Sequence, residues 1–314
     1  MKFNFKNIKM KSIKQTCFTC AMFVAIILFI IGCSSPRSAS EEKSDDAFVP
    51  KTAADTLLGK KEVTTIFYNL PSPVEMSEMV KQTNAAFYPE FLNPVANTEK
   101  YTTTTSLALN LGILGVDMGY IKMFDQLQES LNYLTAVSKL SEKLGLPKGK
   151  GEDVYKSFEK NTDDKGTQLK LISELYSEAD NYLKKNERQN IATLVVLGGW
   201  IEGLYLSSNI HQKEPKNQQV ISRIAEQKYS LNTIIELVNN TQKDLPVFSN
   251  FLANLLLLKK VYSNVHIRFP KESTNLDTTN KVILLTADAE VMISDKEIND
   301  ITRIIKFMRS QIVK

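Results

Sequence analysis

Asp117 and Glu202 are the two residues whose surroundings suit acid–base chemistry. Asp117 follows Asn110 by seven residues in an apolar stretch, so both side chains fall on one face of a helix. Glu202 is the only charged residue between Ile191 and Leu206, and it lies close to Trp200, the only tryptophan, and to Tyr205. Two acids held together in a pocket are the arrangement that hydrolysis by a general acid and a general base requires. One reading is therefore a hydrolase acting through Asp117 and Glu202. The other is structural: each carboxylate accepts hydrogen bonds from Tyr, Asn or Lys groups at the core edge, or faces solvent. Spacing alone leaves both open.

The remaining chemical inventory is thin. His211 and His266 are the only histidines, without a metal-ligand spacing around them, and surface or helix-end positions are expected for both. Neither Gly-x-Ser-x-Gly nor the Gly-x-x-x-x-Gly-Lys phosphate loop occurs. No metal or cofactor is implied. Small residues do recur with helical spacing, in Ala108, Gly112, Gly115 and Gly119 and again in Ala192, Val196, Gly199 and Gly203. Glycine inside a helix costs about 0.5–1 kcal/mol relative to alanine. Its repetition along one face points to close helix packing at Gly112, Gly115, Gly119, Gly199 and Gly203, in preference to a ligand groove.

The elements that must position these residues read as helices. Ser72, Pro73 and Glu75 have capping-box spacing ahead of a helix to about Thr83. Ala85–Lys100, with Pro89 and Pro94, reads as an ordered loop that packs Phe87, Tyr88 and Phe91 on the core. Apolar periodicity then predicts helices over Ser106–Leu144 with a break near Gly119, and over Glu152–Glu159, Gln168–Lys184 and Arg188–Ser208. Gln218–Asn240, Val247–Tyr262, Thr278–Ile293 and Lys296–Ile312 complete the set, the last with a capping box at Ser294 and Glu297. Alternation with period two is confined largely to Val63–Tyr68. The expected fold is all-α, an irregular multi-helix bundle of about eight to ten helices, with a helical-repeat-like array as the alternative.

The amino terminus carries a different kind of information. Lys2, Lys6, Lys9, Lys11 and Lys14 precede an uncharged run to Ile31 that is apolar from Met22, too short to span a bilayer as a helix. It ends in Ile30-Ile31-Gly32-Cys33, which resembles the lipobox of bacterial lipoproteins. That resemblance implies cleavage after residue 32, a diacylglyceryl group on the Cys33 thiol and an acyl chain such as palmitate on the new amino terminus. One acyl chain holds a protein at a membrane only marginally, whereas two or more hold it stably.

Cleavage would also change the composition. The chain has 39 Lys and Arg against 35 Asp and Glu, and losing five lysines and no acid leaves 34 against 35. The basic pI of 8.7 thus belongs to the signal, and nucleic acid is not an expected partner. Cys17 and Cys20, spaced like a redox or metal pair, leave with it, so Cys33 is the one mature cysteine and carries the anchor. The expected organisation is a signal over 1–32, an acylated cysteine with a Ser-rich, charged tether over 33–50, and a helical domain over 51–314.

Ser34 stands where aspartate favours inner-membrane retention in lipoproteins of the Gram-negative type. The outer membrane is accordingly the expected location, with the leaflet left open. The lipobox, Tyr68-Asn69-Leu70-Pro71-Ser72-Pro73, Leu109-Asn110-Leu111-Gly112, Gly115-Val116-Asp117 and Gly199-Trp200-Ile201-Glu202-Gly203 together resemble helical lipoproteins of Bacteroidetes. This resemblance carries over a function for Cys33 alone. The expected role is a non-catalytic binding or scaffold protein of the cell envelope, joined to the bilayer through Cys33, with an envelope protein or a small ligand as partner. The anchored hydrolase is the alternative.

Overall fold

The computed structural model describes residues 73–147, 156, 165–241, 246–268, 274–277, 282–285 and 290–314. The signal, Cys33, the tether, the segment 63–68, Ser72 and, apart from Lys156, the helix expected over 152–159 lie outside those residues. Among the described residues the chain forms α1 (Pro73–Lys81), α2 (Thr104–Met123), α3 (Leu127–Lys143), α4 (Lys165–Lys185), α5 (Gln189–Lys213), α6 (Gln218–Thr241), α7 (Val247–Tyr262) and α8 (Asp295–Ile312). The fold is all-α, as expected.

Its centre is the α2–α5 pair. Every residue from Leu107 to Met123 is buried, and α5 is buried over most of Ile191–Ile210. A helix apolar around its whole circumference belongs inside a protein or a membrane. By length and composition α5 could cross a bilayer, yet most of it is enclosed by the other helices. α1 packs on both α2 and α5, α3 packs on α2, and α4, α6 and α8 pack on α5, with α7 wedged against α6 and α8. In a repeat array each unit touches only its neighbours. Here α1 and α8, far apart in sequence, share α5, so the architecture is a bundle.

Caps define the helix ends. Thr103 and Ser106 form a reciprocal capping box at the start of α2, and Ser294 and Glu297 form the expected one at α8. Two expectations require correction. The break in the Ser106–Leu144 stretch falls at Phe124–Gln126 and not near Gly119, which is buried inside α2. Asp125 makes the turn by adopting a left-handed conformation at φ 60°, a region that Asp tolerates better than most residues.

Where a helix is expected over Thr278–Ile293, the described residues 282–285 and 290–292 are strands. β1 (His266–Arg268) pairs antiparallel with β4 (Glu290–Met292), and β2 (Thr274–Asp277) with β3 (Val282–Leu285). The consecutive apolar run Val282-Ile283-Leu284-Leu285 lacks helical spacing and begins with two β-branched residues, which favour a pleated backbone. Thr274 pairs with Leu285 and Arg268 with Glu290, so the two ladders are nested and their registers differ by a single residue.

Candidate functional site

The α2–α5 crossing brings the two predicted acids together. A Cβ on Gly112 would overlap the Val195 carbonyl oxygen and lie 2.6 Å from Gly199 N, and a Cβ on Gly198 would overlap the Leu109 carbonyl oxygen. Glycine on both helices is what lets their backbones approach this closely. Gly198, adjacent to the predicted stripe, makes the reciprocal contact. The other glycines serve different partners. Gly115 makes room for the Tyr176 hydroxyl of α4, which donates to the Leu111 carbonyl at 3.1 Å, and Gly203 faces the end of Met76 from α1.

Asp117 and Glu202 are both fully buried. Arg309, from the last turn of α8, forks onto Glu202 with Nε to Oε2 at 2.6 Å and Nη2 to Oε1 at 2.8 Å. Its guanidinium also lies 4.0 Å from the centre of the Tyr205 ring. A bidentate guanidinium–carboxylate pair has the geometry of two opposite charges. Asp117 is different. One oxygen, Oδ2, accepts the Asn93 backbone N–H at 3.0 Å, while Oδ1 has no donor facing it.

Burial pushes the Asp117 carboxyl well above the usual carboxylate range, and the charge of Glu202 adds to the shift. Arg309 and the Asn93 N–H oppose it without reversing it. A proton on that free oxygen is what would let Asp117 donate toward Glu202. A proton on Asp117 beside the Glu202–Arg309 pair makes a cluster with no net charge. Arg309 keeps its proton: burial works against its charge, but Glu202 outweighs that penalty.

The cluster holds the connection between α1 and α2, residues 82–103, which crosses the bundle as a strap. Asn93, itself fully buried, is the node. Its N–H is held by Asp117, its side-chain amide donates to Asn110 Oδ1 at 3.2 Å and Tyr101 Oη at 3.0 Å, and its carbonyl accepts from Tyr133 Oη at 2.8 Å. Arg309 Nη2 reaches the Phe91 carbonyl at 3.1 Å, and Asn110 ties the end of α8 by donating to the Ile312 carbonyl at 3.1 Å. Further along the strap, Glu214 accepts from the Ala86 N–H and the Tyr88 hydroxyl, both at 2.9 Å. Phe87, Tyr88 and Phe91 pack on the core as predicted. The strap and α3 enclose an open groove of about 420 Å³, with Phe87, Pro89, Leu92 and Pro94 on one side and Glu129 and Tyr133 on the other.

Sequence reasoning paired Asp117 with Glu202 but missed Arg309, Asn93, Tyr101 and Tyr133. Arg309 had a signal: it falls four residues after Ile305 and three before Ile312, on the apolar stripe of α8. Asn93, in irregular chain, had none. His211 is half-buried in the last turn of α5, where burial lowers its pKa and Asp295 opposes the shift, and His266 is exposed at the start of β1. Neither joins the cluster. No protein-family model, curated protein or solved structure matches this chain.

Proposed function

We propose that this chain is an exported lipoprotein of the bacterial envelope, held on a membrane through acylated Cys33, whose helical domain binds a partner without catalysing a reaction. The observation that carries the reading is the amino-terminal sequence, five lysines and a short apolar run ending in Ile30-Ile31-Gly32-Cys33. The outer membrane follows from Ser34 in place of aspartate. The geometry bears on the choice between binding and catalysis. Glu202 is committed to Arg309, Asp117 to the Asn93 N–H of the strap, and neither presents any surface to a substrate.

Asp117 and Glu202 thus position a groove wall and act on no bound molecule. An envelope protein segment or a small ligand is the class of partner such a groove accepts. The hydrolase reading retains one observation in its favour, two fully buried carboxyls in one cluster, of which Asp117 is held above its usual range by burial first and by Glu202 next. Metabolic labelling with an alkyne fatty acid tests the anchor: the wild-type chain incorporates the label and Cys33→Ala does not. Labelled Cys33→Ala would overturn the assignment. Hydrolysis of an envelope component that Asp117→Asn and Glu202→Gln both abolish while retaining wild-type circular dichroism would overturn the non-catalytic half.

A further inference from the structure

The buried cluster joins three parts of the fold that are otherwise separately attached. Its base is the α2–α5 crossing, interlocked at Gly112 and Gly198. Its covers are α8 and the strap, reached through Arg309, Asn93 and the Asn110 bond to the Ile312 carbonyl. We propose that Asp117, Glu202 and Arg309 form a proton-gated clasp, in which a proton on the buried, unpartnered oxygen of Asp117 seals α8 and the strap over the core and its loss opens that cover to water.

With the proton in place the cluster is neutral. Loss of the Asp117 proton to solvent leaves two carboxylates against one guanidinium, a net negative charge in a site with no exposed carboxylate surface. A buried charge without a counter-ion is costly, and water is the available remedy. Arg309 already serves both Glu202 oxygens and the Phe91 carbonyl. Turning toward a second carboxylate withdraws it from one of them, and those bonds fasten α8 to α5 and to the strap. The base cannot part so readily, because its backbones are in direct contact.

Asp117 is the acid of this cluster whose carboxyl is held well above its ordinary range, by burial first. From α5 it is faced by Glu202 and Tyr205, from α8 by Arg309, from the strap by Tyr101, from α3 by Tyr133 and from α4 by Tyr176. Burial raises all four tyrosines above their ordinary value, so they remain neutral through the same range, and Arg309 remains charged.

Hydrogen–deuterium exchange on the full chain tests the clasp, with rates corrected for the intrinsic pH dependence of exchange. Amides over 88–93 and 303–312 should lose protection as pH rises, by up to about tenfold per pH unit, while those of α6 hold. Asp117→Asn, which keeps a neutral amide in place of the acid, should show no such loss. Equal pH profiles in the two proteins would overturn the proposal. The wild type alone provides a second measurement, should the variant not fold. The infrared carbonyl band of a protonated carboxylic acid should persist above the range in which the exposed carboxyls ionise and vanish in step with the loss of protection. Its absence above that range, or its disappearance with protection intact, would equally refute the clasp.

Discussion

At the scale of single residues, Glu202 and Arg309 depend on each other more than the fold depends on the pair. Arg309→Met leaves Glu202 buried without its cation, and Glu202→Gln leaves a guanidinium whose side chain is only 10% exposed without its anion. Breaking a buried pair from one side typically costs about 3–5 kcal/mol, whereas replacing both partners is often close to neutral. The double variant Glu202→Gln/Arg309→Met should therefore lose clearly less stability in urea than the two single losses added together. Strict additivity would mean that the two side chains do not act as a unit. Asp117 and Glu202 were legible as a pair because each stood out against an apolar helix. Their partner Arg309 was hidden among the ordinary charges of an amphipathic surface helix, where one arginine out of phase with the polar face is easily overlooked.

At the scale of elements, glycine controls how closely α2 and α5 approach. Alanine gains about 0.5–1 kcal/mol over glycine in a helix interior, and the sign of a substitution depends on whether its clash exceeds this gain. At Gly112 the obstacle is backbone, the Val195 carbonyl, which cannot move aside. Gly112→Ala should thus be destabilising by about 1–3 kcal/mol, as forced overpacking generally is. At Gly203 the obstacle is the flexible end of Met76, and Gly203→Ala should be nearly neutral. Thermal melting of the two variants compares them directly, and equal losses would contradict the crossing geometry. Ser294→Ala should cost about 1 kcal/mol by removing the α8 cap, checked by the same melts.

Helical spacing revealed most of these elements, and Val247–Tyr262 lies where periodicity put it. The strands over 266–292 were missed for a physical reason: ladder pairing depends on residues distant in sequence, and an apolar run of four is ambiguous until its partner is known. The turn at Asp125 was missed because the left-handed conformation belongs to one residue and leaves no periodic trace.

At the scale of the whole molecule, the bundle carries a buried acid that is easier to protonate in the folded chain than in the unfolded one. The sign of its effect on stability follows. The unfolded carboxyl titrates near its ordinary value of 3.8, and the folded one well above it. Below the unfolded value Asp117 contributes its full stabilisation, and this is lost as pH rises toward the folded value, at about 1.4 kcal/mol per pH unit. The carboxyls of exposed Glu99 and of half-buried Glu297 and Asp300 shift the opposite way, each held down by its hydrogen-bonding partner first, so the wild-type curve alone mixes both effects. Asp117→Asn removes only the effect of the buried acid.

The measurement that tests the structural role of the carboxyl pair most directly is urea unfolding of wild type and Asp117→Asn across pH 4 to 8. The stability of the variant should gain on that of wild type as pH rises, with a slope of about 1.4 kcal/mol per pH unit until Asp117 itself ionises. A constant difference, or a wild type that gains on the variant as pH rises, would show Asp117 to be an ordinary ionised partner of Arg309 and would contradict the account.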